Sequence, residues 1–141
     1  MNEKIGNVVL DMTKYPGQDY YCDGSIEDEL LEIAKSIPES EYDRVIKERK
    51  KWPLLYHLSS LRENIVDWLP IRKTDKVLEV GSGCGAITGA FARKAGEVTC
   101  VDLSKKRSTI NAYRHRDCDN ITIHVGNFKD IEPDLPCNYA Y

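Results

Sequence analysis

The sequence predicts an α/β fold built on a parallel sheet, and three features of the chain carry that prediction. Short apolar runs occur at Val77 to Val80, Val98 to Val101 and Ile121 to Val125. Between them lie stretches of helical character, Ala86 to Ala95 and Ser104 to about His115. The first run passes directly into Gly81-Ser82-Gly83-Cys84-Gly85, a glycine-rich turn that opens a helix. Apolar strands alternating with helices imply parallel pairing with both faces of the sheet covered. Right-handed crossovers then set the spatial order of the strands as third, second, first.

Upstream of the sheet, Ile5 to Leu10 is mostly apolar, and Tyr15-Pro16-Gly17-Gln18 is a turn signal leading into Tyr20-Tyr21-Cys22. A β-hairpin is the simplest reading. Ser25 starts a helix, with Asp28 in the capping-box position and Ile26, Leu30, Ile33, Ala34 and Ile37 on one face; Pro38 ends it. A second amphipathic helix is predicted from about Glu41 to Lys51, with Tyr42, Val45, Ile46 and Trp52 as its apolar side. Its charged run Lys47 to Lys51 reads as a solvated face. Ser60 and Glu63 form another capping box, and Leu61, Ile65, Trp68 and Leu69 make a predicted core stripe that stops at Pro70. Residues 1–51 thus form an N-terminal part of hairpin and two helices, and 52–141 the part that carries the sheet.

The totals exclude several classes. Hydrophobic content of 41% and charged content of 30% are ordinary for a soluble globular chain of 141 residues. A formal net charge of -3 gives no electrostatic push toward nucleic acid or anionic membranes. Neither a signal core nor an apolar run of membrane-spanning length is present, which suggests a cytoplasmic chain. Five cysteines without close-paired spacing argue against a disulfide framework or a metal site, and read as small buried residues in a reducing compartment.

The glycine turn carries the chemistry. In a parallel α/β unit, ligands sit beyond the carboxyl ends of the strands. Glycine there permits positive φ and close approach of backbone to ligand. Asp102 closes the second strand, where a carboxylate can accept from two ribose hydroxyls. The run Gly81 to Ala86 also fits a dinucleotide fingerprint, which keeps a nicotinamide-dependent oxidoreductase open as an alternative. Glu79, two residues before the first glycine, favours a ligand with a cationic amine over a diphosphate.

Lys76 through Phe128 resembles the S-adenosylmethionine-binding half of class I methyltransferases, a Rossmann-like fold. Glu79, Gly81, Gly83 and Gly85 match that family's first motif, Asp102 its ribose-binding acid, and Gly126-Asn127-Phe128 the segment that holds adenine. The resemblance implies that Glu79 acts on the methionine end and that the turn, with Ser82 and Cys84, packs against methionine and ribose. It implies that Asn127 bonds the adenine amine, that Phe128 offers its backbone N–H or ring, and that Leu103 covers an adenine face. Trp52 to Ser59 and Asn111 to His115 also resemble methyltransferase domains of bacterial surface-polysaccharide pathways, which hints at a glycan or small-molecule acceptor. Val77 to Asp102 resembles ribosomal-RNA adenine dimethylases as well, although the acidic balance speaks against nucleic acid.

The family's sheet is larger than the part this chain supplies. Asn138-Tyr139-Ala140-Tyr141 reads as the start of a fourth strand, so the chain is expected to be a piece of a longer protein. The acceptor pocket and any catalytic residue lie beyond what the resemblance reaches. Tyr56 and His57 could overhang a cofactor, but ordinary packing is the expected role of each; His115 and His124 read as surface or strand residues, and the small size of Cys84 explains it better than nucleophilicity does. An exposed inner-strand edge at Val77 to Val80 would favour self-association. A module that binds the cofactor without turning it over is the remaining alternative.

Overall fold

A computed structural model describes residues 1–20, 24–131 and 135–141. Strands β1 (Asn2–Ile5) and β2 (Val8–Asp11) precede helices α1 (Ser25–Ser36), α2 (Tyr42–Arg49) and α3 (Trp52–Leu58). Strands β3 (Lys76–Val80), β4 (Glu97–Asp102) and β5 (Ile121–Val125) then alternate with α4 (Thr88–Lys94) and α5 (Lys105–Arg114). The short α6 (Phe128–Ile131) and β6 (Tyr139–Ala140) complete the described strands and α-helices, and two 3-10 turns, Glu39–Glu41 and Ser60–Ile65, lie among the N-terminal helices and before β3. The sheet order is β1-β2-β5-β4-β3-β6, and every pairing except β1 with β2 is parallel. The predicted order of the three central strands therefore holds.

Side chains from one face of the sheet, among them Leu10, Val77, Val98, Cys100 and Ile123, pack with Ala90 and Phe91 of α4 and Ala112 of α5. A second core joins α1, α2 and α3 to α5 through Leu30, Ile33, Val45, Leu54 and Ile110, with Cys84 of the glycine turn inserted among them. Each such side chain, fully buried, stabilises the fold by roughly 1.5–3 kcal/mol. The turn is thus clamped from behind by two cores, which fixes its position relative to the strand ends.

Several expectations are corrected. The hairpin turns at Gly6-Asn7, inside the apolar run, because Gly6 takes a φ of 58° and lets Ile5 pair with Val8. It joins the main sheet through β2 and β5. Tyr21 and Cys22, the predicted second arm, lie outside the described residues. Ser25 and Asp28 form no capping box: Gly24 occupies the N-cap, and Asp28 pairs with Lys106 of α5. The second helix ends at Arg49, because Lys50 is left-handed, and Trp52 opens α3 as a separate helix.

The predicted stripe after Ser60 is a 3-10 turn, Ser60–Ile65, capped by Ser59, whose Oγ accepts from Leu61 N at 3.3 Å. At three residues per turn, positions spaced for an α-helix no longer share a face. Leu61 is consequently 71% exposed and Ile65 is exposed too, Val66 takes the core position, and Trp68, beyond the turn, is 74% exposed. Among the described residues, the sheet's second face is covered only in part. Thr99, Thr122, His124 and Asp11 line a cavity of about 370 Å³ on the second face, which α6 covers only in part through Leu78, Val101 and Ile131. Nor is β3 an edge: β6 pairs with it, and Tyr141 N donates to Leu78 O at 2.8 Å.

Candidate functional site

The end of β3 turns on Gly81 (φ 72°), Gly83 (φ 54°) and Gly85 (φ 81°), all in the left-handed region. Gly81 N donates to Val101 O at 2.8 Å, which ties the start of the turn to β4. Asp102, at the end of β4, grips the turn from the other side: its Oδ2 accepts from Gly83 N at 2.8 Å. Its Oδ1 accepts from Ser104 N at 2.9 Å, and the Ser104 side chain in turn caps α5 by accepting from Arg107 N. A carboxylate offers about four acceptor positions. Two are used here, so each oxygen retains capacity for a further donor.

Two cavities adjoin along this turn. The larger, about 420 Å³, is lined by Val80, Gly81, Val101, Asp102, Leu103, Ser104, Arg107, Gly126, Asn127 and Phe128. It gathers the predicted ribose acid and adenine segment from the ends of β4 and β5. Leu103 is exposed at its wall, while Phe128 is anchored below by Leu78, Val101 and Ile131. Asn127 Oδ1 accepts from Lys129 N at 3.0 Å, which holds the side chain against the first turn of α6.

The smaller cavity, about 250 Å³, shares Val80, Gly81 and Arg107 with the first and is completed by residues including Glu79, Ser82, Gly83, Cys84, Tyr56, His57, Arg62 and Tyr141. Glu79 is only 2% exposed; its Oε2 accepts from the Thr88 hydroxyl at 2.7 Å. Burial pushes its carboxyl up to about 7. Cys84 projects into the helical core, where burial pushes its thiol up to about 12, so it is no nucleophile. Nine of the ten predicted site residues therefore border one of these two adjoining cavities, and the tenth, Gly85, packs instead against Asn111 and His115.

Sequence reasoning missed Arg107, which borders both cavities and donates to the buried Glu27 Oε1 at 2.8 Å. Its place three residues after the Ser104 cap was the available signal. His115 was misread: it is buried, not on the surface. Cys137 is exposed, against the expectation of buried cysteines, and Cys22 lies outside the described residues.

The family described as protein-L-isoaspartate(D-aspartate) O-methyltransferase matches residues 57–130. Ribosomal RNA small subunit methyltransferase A of Streptococcus pneumoniae (strain P1031) is 33% identical over 90 residues, covering 55% of this chain and 30% of that protein. Its namesake in Borreliella burgdorferi (strain ZS7) is 30% identical over 94 residues, covering 66% and 34% respectively. The chain spans about a third of the length of these relatives. Among solved structures, precorrin 8w decarboxylase of Methanobacterium thermoautotrophicum aligns with a TM-score of 0.53 at 21% identity, over 57% of this chain and 45% of that one. A SAM-dependent methyltransferase from Thiobacillus denitrificans, in complex with S-adenosyl-L-homocysteine, aligns with a TM-score of 0.50 at 17% identity, over 58% and 35%. At these identities the structural likeness is one of fold.

Proposed function

Because the chain belongs to the protein-L-isoaspartate(D-aspartate) O-methyltransferase family of S-adenosylmethionine-dependent methyltransferases, we propose that it binds S-adenosylmethionine along the Gly81 turn and serves methyl transfer from it. One observation carries the reading. A side-chain carbon added at Gly81 or Gly83 would meet nothing within 4 Å, so the turn is bare toward the space where the two cavities join. Glycines that served packing alone would face neighbours.

The residues present fit the cofactor. Asp102 keeps two acceptor positions that would serve the ribose hydroxyls, and Leu103, Asn127 and Phe128, which line the same cavity, would hold the base. Glu79, in the adjoining cavity, would receive the amine of the methionine part. Bound there, the cofactor supplies an electrophilic methyl on a sulfonium. The chain supplies position and exclusion of water, which is most of what in-line displacement needs. No general base is assigned, since one is required only where the acceptor must lose a proton.

For the acceptor, we favour an unpaired base of a structured RNA. Both curated relatives are named for ribosomal RNA, so a net negative charge is no ground for setting nucleic acid aside, and neither name points to a glycan. Tyr56 and Arg62 line the smaller cavity, with the Arg62 guanidinium 4.4 Å over the Tyr56 ring, and the exposed Trp52 ring lies 6.5 Å from Tyr56. Exposed rings with a cation beside them suit base stacking.

Calorimetry with S-adenosylmethionine, S-adenosylhomocysteine and NAD tests the cofactor. We expect binding of the first two, and a loss of roughly 1.5–3 kcal/mol in Asp102→Ala, the scale of charge-assisted hydrogen bonds. An unchanged dissociation constant, or preference for NAD, overturns the assignment. Transfer of a labelled methyl to ribosomal RNA supports the acceptor reading, transfer to an isoaspartyl peptide alone replaces it, and binding without transfer leaves a cofactor-holding module.

A further inference from the structure

Behind the glycine turn runs a line of buried polar side chains that methyl transfer itself does not use. Glu79 Oε2 accepts from the Thr88 hydroxyl at 2.7 Å, and Thr88 Oγ1 accepts from Asn111 Nδ2 at 3.1 Å. His115 Nδ1 lies 2.7 Å from Asn111 Oδ1 and 3.0 Å from the Asn111 backbone oxygen. Both are acceptors, so Nδ1 carries the ring proton and donates. All four side chains are buried. Burial pushes the His115 imidazole down to about 3, which keeps it neutral.

The direction of each link is fixed by the one behind it. His115 occupies the Asn111 oxygen, so the amide NH2 group faces Thr88. That NH2 group occupies a Thr88 lone pair, so the hydroxyl proton is directed to Glu79. Two glycines make the room: a side-chain carbon at Gly85 would collide with Asn111 Oδ1, and one at Gly89 would stand 2.9 Å from His115 Nε2.

The surroundings of Glu79 favour its neutral form. Desolvation dominates and Asp102 at the end of β4 adds repulsion, and together they outweigh the hydrogen bonds from Thr88 and from the Cys100 thiol, 3.7 Å away, which favour the carboxylate. Arg114 of α5 opposes these, but it is engaged by Glu39 and by the backbone oxygens of His57 and Cys84. Arg107 of α5, His57 of α3 and Arg62 of the 3-10 turn border the same cavity. Among the described residues, no cation lies within ion-pair distance of the Glu79 carboxyl.

We propose that Thr88, Asn111 and His115 are positioning residues for Glu79, holding one carboxyl oxygen and leaving the other to the cavity, so that uptake of the cofactor's ammonium expels a proton from Glu79. The inference rests on the cofactor assignment above. The step balances: the carboxyl O–H bond breaks, its proton passes to solvent, and the carboxylate left behind pairs with an ammonium that arrives already charged. Glu79's carboxyl is raised from 4.5 to about 7 by burial, so it is mainly protonated at pH 6, and the release is measurable there.

The test is calorimetry of the chain with S-adenosylmethionine at pH 6 in buffers of different ionisation enthalpy. We expect close to one proton released per cofactor bound, none in Glu79→Gln, and release persisting to higher pH in Thr88→Val, which loses the bond that favours the carboxylate. Thr88→Ser should restore the wild-type profile. An infrared difference spectrum of the unaltered chain supplies a readout that needs no variant: a protonated-carboxyl band lost on cofactor binding. Binding heat that is independent of the buffer, with no such band lost, overturns the relay and spares the cofactor assignment. Absence of binding sinks both.

Discussion

At Gly85 a side-chain carbon would run into Asn111 Oδ1 and His115 Cε1, whereas at Gly81 and Gly83 it would meet nothing within 4 Å. The three share a positive φ, which costs a substituted alanine about 1 kcal/mol each. Their further consequences separate. Gly81→Ala and Gly83→Ala should weaken cofactor binding more than they lower the melting temperature, because the new methyl occupies ligand space. Gly85→Ala should lower the melting temperature more, since overpacking adds roughly 1–3 kcal/mol and displaces Asn111 from Thr88. Thermal melts with and without S-adenosylmethionine check both; equal effects at the three positions would contradict the division. The spacing of the glycines, and the acids at 79 and 102, were legible because a strand-to-helix turn is local. Which glycine serves the ligand was not, because Asn111 and His115 reach the turn from α5.

Among the elements, α5 shows how far local signals extend. Its Ser104 cap was readable, as a short hydroxyl side chain before a helical run must be. Its second anchor was not. Asp19, from the segment after β2, accepts from Lys105 N at 2.7 Å, Lys106 N at 3.0 Å and Ser104 Oγ at 3.0 Å. Burial alone would raise its carboxyl, but the backbone bonds from Lys106 and Lys105 hold it below the ordinary range. Asp19→Ala should therefore destabilise the chain by about 1–2 kcal/mol, the scale of a lost helix cap. It should also weaken cofactor binding, because Ser104 N is one of the two donors that orient Asp102. Urea denaturation and calorimetry read the two effects, and wild-type affinity in the variant would confine Asp19 to stability. The stretch from Ser60 to Leu69 fails for the opposite reason. Its apolar spacing suits an α-helix, yet the 3-10 turn rotates Leu61 and Ile65 outward and ends before Trp68, which is exposed as well.

At the scale of the molecule, the sheet is two-sided in a way its strands announce. In Ile121-Thr122-Ile123-His124-Val125 the apolar residues are buried and Thr122 and His124 are only partly so. Along β5 that period of two marks one packed face and one more open face, whereas Leu78 of β3 and Val101 of β4 are buried on the second face against Ile131 of α6. The edge is also displaced from where it was expected. With β3 covered by β6, the outer strands among the described residues are β1 and β6, the latter beside Val80 and Tyr141, both solvent-exposed apolar side chains. Unpaired strand margins template further pairing. Sedimentation velocity should show concentration-dependent association, reduced in Tyr141→Lys, where a charge guards the margin; a monomer at every concentration would remove the idea.

The sequence by itself determined the order of the central strands, the glycine turn and the acid that faces it, because handedness, chain reversal and strand ends obey rules written into a few neighbouring residues. Only the tertiary structure decided that the hairpin joins the sheet, that the tail covers β3, and that Thr88, Asn111 and His115 line up behind Glu79. Those arrangements bring together side chains far apart along the chain, and burial, the force that selects them, acts on the assembled fold rather than on any one segment.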